Sequence, residues 1–297
     1  MENKETKKKY KRRFGDRPDG RRVRTLPPMA RVSPYIMKTR NTSTNYFQSE
    51  INMDKIDQYI KEKKAQGLQG FSIMHVLIAS YIRTVSQLPA INRFIAGQKI
   101  FARHKIEVCM VIKKEMSLES PDTALKFEFT PDATADEVYH TMTKTIEEYR
   151  NSPGGGFDDT AKVLSFIPGL VMRGAVGLLH MLDYFGILPQ FLCKISPFHG
   201  SFFITSMGSL GIPPIYHHLY DFGNVPLFMA FGAKEHRNEL QDDGSVKKVS
   251  YVGYTMVMDE RIVDGYYYAS ACKYMQRLYK KPWVLDEKPE TVVEDIP

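Results

Sequence analysis

The chain has 297 residues, 43% of them hydrophobic, with 17 Tyr and 17 Phe, enough to build a full core and to exclude disorder over most of its length. Its three cysteines, Cys109, Cys193 and Cys272, show no CxxC or CxH spacing, which argues against a disulfide framework or a zinc site and for a reducing compartment; with no apolar signal-peptide core at the start, the expected location is the cytoplasm. The net charge of +7 resides in residues 1–25, where eleven Lys/Arg face four acids, so a basic nucleic-acid-binding body is excluded and residues 1–30 are expected to be a solvated basic tail, with nucleic acid or membrane contact through it only weakly suggested.

The tail gives way at Pro27-Pro28, where φ is fixed and a helix is not expected to start cleanly. Residues 44–53 carry the aromatic and β-branched character of a strand. Met53, Ile56 and Ile60 at i, i+3, i+7 then predict an amphipathic helix over 53–65. Residues 71–87 are apolar on nearly all sides, which predicts a buried helix with Ser72 as its N-cap and His75 as a satisfied core histidine. Strands are expected around 99–104, 105–112 and 125–130, and Asp132 or Thr134 caps a helix running to about Arg150. Ser152-Pro153-Gly154-Gly155-Gly156 is a break. The most apolar region, 161–195, is interrupted by Pro168, Arg173, Asp183 and Pro189 and offers no uncharged run of the roughly 20 residues a membrane span needs. It reads as two or three helices packed on the body or on another subunit, with peripheral membrane contact as the alternative. Strands follow at 201–206, 226–232 and 248–258, the last two joined by a hairpin turn around Asp243-Gly244. A final helix spans about 265–281. Strands with interposed helices make the chain α/β, or α+β with a mixed sheet.

One stretch carries chemistry: Asp259-Glu260-Arg261-Ile262-Val263-Asp264-Gly265, between a strand and a helix. It resembles the Asp-His-Arg-x-x-Asp-Gly motif of the 2-oxoacid dehydrogenase acyltransferase catalytic domains, relatives of chloramphenicol acetyltransferase, except that Glu260 stands where the family keeps its catalytic histidine. Four further segments carry the resemblance. Residues 201–212 are similar to the family's Phe-Thr-Ile-Ser-Ser/Asn-Leu-Gly strand and loop, and residues 226–232 to the strand that follows it. Thr39-Arg40-Asn41, and Leu88-Pro89-Ala90-Ile91-Asn92 at the exit of the 71–87 helix, are similar to the family's opening segments. Coverage is residues 31–285, with 157–197 an apolar helical insertion and 286–297 a C-terminal tail.

The resemblance implies a chloramphenicol-acetyltransferase-like fold, a two-layer mixed sheet flanked by helices, and a homotrimer with each active site between two subunits. It implies coenzyme A as co-substrate, an acyl-CoA or lipoyl thioester as acyl donor, no metal, and a 2-oxoacid dehydrogenase-type complex as a candidate partner. There is no room for a lipoyl domain ahead of residue 31, so a lipoyl group would be borrowed in trans. By this match Glu260 is the base, Thr205 the hydroxyl that stabilises the oxyanion, and Asp264 the partner of Arg40 in a salt bridge that orders the turn; Ser206, His217 and His218 are secondary candidates. A glutamate near its usual value of about 4.3 is roughly two units weaker as a base than a histidine. Two readings therefore stand: Glu260 is a base re-tuned by burial, or the chemistry is lost or moved and the chain is a trimeric scaffold or ligand-binding homologue.

Overall fold

The computed structural model describes residues 11–113, 122–151 and 166–297. Its centre is a six-stranded mixed sheet in the order β2-β9-β8-β7-β5-β6, built from β2 (Thr44–Asn52), β5 (Ile106–Lys113), β6 (Asp122–Phe129), β7 (Phe202–Ser206), β8 (Leu227–Leu240) and β9 (Val246–Asp259). β7 runs parallel to β5 and β8; the other pairs are antiparallel. A smaller sheet, β1-β4-β3, joins Gly20–Arg22, Lys99–Arg103 and Arg93–Ala96.

Side-chain alternation sends the two faces of the large sheet to different partners. Phe202, Ile204, Leu227, Met229, Met256 and Met258 join the main core, under helices α2 (Asp54–Ala65), α3 (Ile73–Gln87), α4 (Ala135–Asn151) and α7 (Gly265–Lys280). Phe203, Phe228 and Val257 point the other way, onto Leu219, Tyr220 and Val225 of a strap that crosses the opposite face. α3 is the keystone. It is buried from His75 to Ser86, and its Tyr81 ring stacks on Phe202 at 4.4 Å. Ser72 precedes the helix, and its N–H donates to His75 Nδ1 at 3.0 Å. Burial pushes His75 down to about 4, so the ring is a neutral core group. Thr134 opens α4 with a reciprocal pair: its N–H donates to Glu137 Oε2 at 2.8 Å, and the Glu137 N–H to its hydroxyl at 3.3 Å. The Asp243-Gly244 turn joins β8 to β9, with Gly244 at φ 80.

Two expectations are corrected at the chain ends. Residues 1–10 of the expected tail lie outside the described residues, and residues 16–30 are not a solvated arm. Arg17 is 5% exposed and pairs with Asp183 at 2.6 Å and Asp19 at 2.9 Å. Residues 20–22 are strand β1, and Pro28 occupies the first turn of α1 (Pro28–Ile36), where a missing N–H costs nothing. Composition reports how many charges a segment holds, and the pairing of Arg17 with a residue 166 positions away decides where they go. The last residues are pinned as well. Asp295 pairs with Arg93 at 2.5 Å, and the Pro297 carbonyl accepts the N–H groups of Arg24 and Thr25 at 3.1 Å.

The Ser152–Gly156 break and the start of the insertion lie outside the described residues. The rest of the insertion forms α5 (Gly169–Tyr184) and α6 (Gln190–Ile195). Among the described residues no helix is long and apolar enough to cross a membrane. α5 meets the body at its C-terminal end, where Asp183 takes the Arg17 ion pair and His199 Nε2 lies 3.7 Å away.

Burial alone would raise the Asp183 carboxyl, but the His199 and Arg17 interactions outweigh it and hold it well below the ordinary carboxylate range. A depressed carboxylate stabilises the fold fully above its unfolded value of about 3.9 and loses that contribution as pH falls through the folded value. This anchor should therefore weaken only below about pH 4. At neutral pH, Asp183→Asn leaves Arg17 buried beside one remaining acid. Trypsin should then cleave after Arg21 or Arg22, in the strand that follows Arg17, at least tenfold faster than in the native chain, because a broken buried pair costs about 3–5 kcal/mol.

Candidate active site between strand β9 and helix α7

β9 ends at Asp259, opposite Thr44 of β2, and α7 starts six residues later at Gly265. The intervening turn is held by Asp259, which is 1% exposed. Arg261 clamps it with two hydrogen bonds, Nε to Oδ1 at 2.8 Å and NH2 to Oδ2 at 2.7 Å. A second guanidinium, Arg40, places Nε 3.7 Å from Asp259 Oδ2 and donates to the carbonyls of Tyr220 and Gly223 at 2.6 and 2.7 Å. Burial pulls Arg40 below its ordinary value, with Asp259 opposing. Arg40 thus ties the turn to the strap.

This corrects the expected Arg40–Asp264 bridge. Asp264 is exposed and caps α7, its Oδ1 accepting the Tyr267 N–H at 2.8 Å. Its backbone is extended, at φ −75 and ψ 168, as an N-cap requires. Arg40 serves Asp259 instead. An Asp-x-Arg spacing at a strand end was the signal for the Asp259–Arg261 clamp, and the resemblance to the family motif drew attention past it.

Glu260 sits between the two clamped residues. Its N–H donates to the Ser43 carbonyl at 2.9 Å, and its half-buried side chain lines a cleft of ≈ 310 Å³. α1 and the chain end wall that cleft through Leu26, Met29, Ala30 and Ile296, opposite Ile262, Val263 and Tyr267. Arg93 also lines it, but Asp295 neutralises Arg93. Among the described residues no ion pair or side-chain hydrogen bond ties off the Glu260 carboxylate. The α1 wall was not legible in the sequence, where residues 28–30 fell within the expected tail.

Thr205 lies on β7, on the strap side of the sheet with Phe203. It pairs with Ala230, which pairs with Thr255 on β9. Glu260 lies five residues beyond Thr255, so within one chain the two candidates stand roughly 20 Å apart at strand spacings of about 4.8 Å and 3.4 Å per residue. The chain alone does not bring them together. Ser206, the next residue, is held in the loop, its hydroxyl accepting the Ser209 N–H at 3.4 Å and its carbonyl the Ser209 hydroxyl at 3.0 Å.

His217 and His218 are on the strap. The His217 ring stacks on Phe228 at 3.7 Å, and its Nδ1 lies 2.8 Å from the His218 carbonyl. A carbonyl only accepts, so Nδ1 carries the proton and Nε2 keeps its lone pair. Burial lowers the His217 ring, and the neighbouring His218 adds to this. His218 is exposed. Among the described residues no group of three or more His, Cys, Asp or Glu is placed to hold a metal ion.

Gly223 holds the strap end of this network. It has φ 87, and a Cβ there would lie 2.0 Å from the Phe198 carbonyl oxygen. Gly223→Ala should lower stability by more than the 1–2 kcal/mol of the left-handed backbone alone, read as a lower urea midpoint, and should release Arg40.

No protein-family model matches the sequence, and no curated protein is found similar to it. Solved structures do match. A probable dihydrolipoamide acetyltransferase from Listeria monocytogenes superposes with a TM-score of 0.55 at 14% identity, over 91% of this chain and 99% of that one. The dihydrolipoamide acetyltransferase of Azotobacter vinelandii gives 0.56 at 11%, over 88% and 93%. A truncated catalytic core of the 2-oxoacid dehydrogenase multienzyme complex from Thermoplasma acidophilum gives 0.53 at 10%, over 88% and 98%. The two-layer architecture, the mixed sheet order and these superpositions agree, and the chain has the fold of the dihydrolipoamide acetyltransferase catalytic domains.

Proposed function

We propose that the protein is an acyltransferase that moves an acyl group between a CoA or lipoyl thioester and an acceptor, in a site shared by two copies of a homotrimer. The observation that carries this reading is Glu260: a carboxylate with no ion pair among the described residues, lining a largely apolar cleft at the end of β9, at the position of the family's catalytic base. Glu260 of one copy takes the proton of the attacking thiol. The resulting sulfur nucleophile adds to the thioester carbonyl, whose oxyanion accepts a hydrogen bond from the Thr205 hydroxyl of the neighbouring copy. The adduct collapses with cleavage of the original C–S bond, and the departing sulfur recovers the proton from Glu260.

Two exposed apolar surfaces support a shared site. Met29, Val32, Tyr35 and Ile36 stand on α1 beside the Glu260 cleft; Leu210, Ile212 and Ile215 stand on the loop and strap that follow Thr205. Packing one against the other in a closed ring would bring the two halves of the site together.

The test is turnover of a panel of acyl-CoA and lipoyl thioesters by the native chain, by Glu260→Gln and by Glu260→His. Activity in the native chain that Glu260→Gln removes supports the reading. A native chain inactive across the panel, with activity gained by Glu260→His, overturns it and leaves a trimeric scaffold or ligand-binding homologue. His217 favours a second reading, because its fixed tautomer presents a basic Nε2 on the same sheet face as Thr205. In that case His217→Gln, and not Glu260→Gln, removes the activity.

A further inference from the structure

α5 carries a largely exposed apolar surface. Around its axis Arg173, His180 and Asp183 fall on one narrow edge, and the remaining positions are apolar or glycine. At the helix end that edge meets the body: Asp183 is buried against Arg17, and the His180 ring meets Phe222 at 4.9 Å. Arg173 and His180 are themselves exposed, and Met172, Ala175, Leu179 and Leu182 are partly covered, but much of the remaining apolar surface faces outward. Leu170 is 86% exposed and Phe185 67%, and Val171, Leu178, Met181 and Ile187 are exposed with them. A solvated surface helix has the opposite arrangement, and a patch this continuous marks an interaction surface.

Two features identify the covering medium. The first is length: sixteen residues make about 24 Å of helix, short of the roughly 30 Å hydrocarbon core of a bilayer. The second is charge. Where α5 ends, the Tyr184 hydroxyl donates to Gln98 at 3.1 Å. Gln98 belongs to the rim of a cleft of ≈ 370 Å³ lined by Arg22, Arg31 and Lys99, and by Arg24, whose guanidinium pairs with Asp16 at 2.9 Å. A second copy of this chain brought against the patch by a twofold axis would set cations against cations, whereas an anionic lipid surface offers complementary charge beside an apolar interior.

We infer that α5 and the adjoining cationic cleft dock the protein on an anionic membrane surface, with α5 lying in the interface plane. The exposed apolar residues of α5 are distinct from those of α1 and the strap, but the cationic cleft shares Tyr35 of α1 with the proposed interface between copies, so the variants are placed at Leu170, Leu178, Arg22 and Lys99. The test is co-sedimentation of the full chain with phosphatidylcholine vesicles, with and without phosphatidylglycerol, accompanied by sedimentation velocity without lipid. The native chain should bind vesicles containing phosphatidylglycerol. Leu170→Glu/Leu178→Glu, at exposed positions that the fold does not need, should lower the partition coefficient about a hundredfold or more. Arg22→Glu/Lys99→Glu should lower it by about twentyfold or more, at roughly fivefold per cation, and only on the anionic vesicles. Failure of the native chain to bind either vesicle overturns the inference, as does binding that neither double variant weakens. A fall in assembly size for Leu170→Glu/Leu178→Glu also overturns it, because the patch is then an interface between copies.

Discussion

Glu260→Gln and Thr205→Val should each silence thioester turnover, and a mixture of the two silent proteins should recover it. Loss of a general base costs typically 10²–10⁴-fold and loss of one oxyanion donor about 10²–10³-fold. Both changes are nearly isosteric, so the folded population should be unchanged. The recovery follows from geometry. Within one chain the two residues are roughly 20 Å apart at sheet spacings, so each site would take Glu260 from one copy and Thr205 from the next. Unfolding and refolding the variants together at equal amounts creates interfaces of four kinds. About a quarter of them combine an intact Glu260 with an intact Thr205 in a cyclic assembly. Turnover of the mixture should therefore approach a quarter of the native value. A mixture as silent as its components places both groups in one chain or removes one of them from the reaction.

Asp259→Asn should be the most destabilising single change at this turn. The carboxylate is 1% exposed and neutralises Arg261, which is 5% exposed, with Arg40, at 6%, close by. Removing its charge strands two buried guanidiniums, at about 3–5 kcal/mol, from a total stability of about 5–15 kcal/mol for a domain. The urea midpoint should fall accordingly. Because the Glu260 backbone hangs between Asp259 and Arg261, turnover should fall with it. Arg261→Met in the Asp259→Leu background should regain part of the loss, since the apolar replacement removes one of the two stranded guanidiniums and leaves Arg40 alone. If Asp259→Asn unfolds at the native urea concentration, the clamp contributes nothing to the turn.

Pattern carried most of the fold. The 71–87 helix, the Asp243-Gly244 hairpin and the strand ahead of Asp259 were legible because periodicity and turn chemistry are local. Five segments resemble a known family closely enough to give the fold from sequence, and the superpositions bear that fold out. What escaped was long-range pairing. Arg17 and Asp183 are each unremarkable in their own neighbourhoods, and their union turned an expected free arm into part of the body. Arg40 was rightly singled out as a binder of a turn carboxylate but was assigned to Asp264, because motif matching fixes positions and not partners. The choice between Asp259 and Asp264 is made by burial: a carboxylate sealed at a strand end requires a counter-charge, whereas one at a helix N-cap is satisfied by a backbone N–H. The wall of the Glu260 cleft escaped for a further reason: α1 contains two prolines, Pro28 and Pro34, and proline inside a helix ordinarily argues against one.

The stapling of Pro297 onto Arg24 and Thr25 has a consequence during synthesis. The Thr25 hydroxyl donates to the Pro297 carbonyl across 272 positions, and Ile296 forms part of the Glu260 cleft. A ribosome-bound chain can order α3 and its neighbours early, since those contacts are local. It cannot close the cleft until residue 296 has left the exit tunnel. The candidate base therefore stays open to solvent until residues 296 and 297 have emerged and docked.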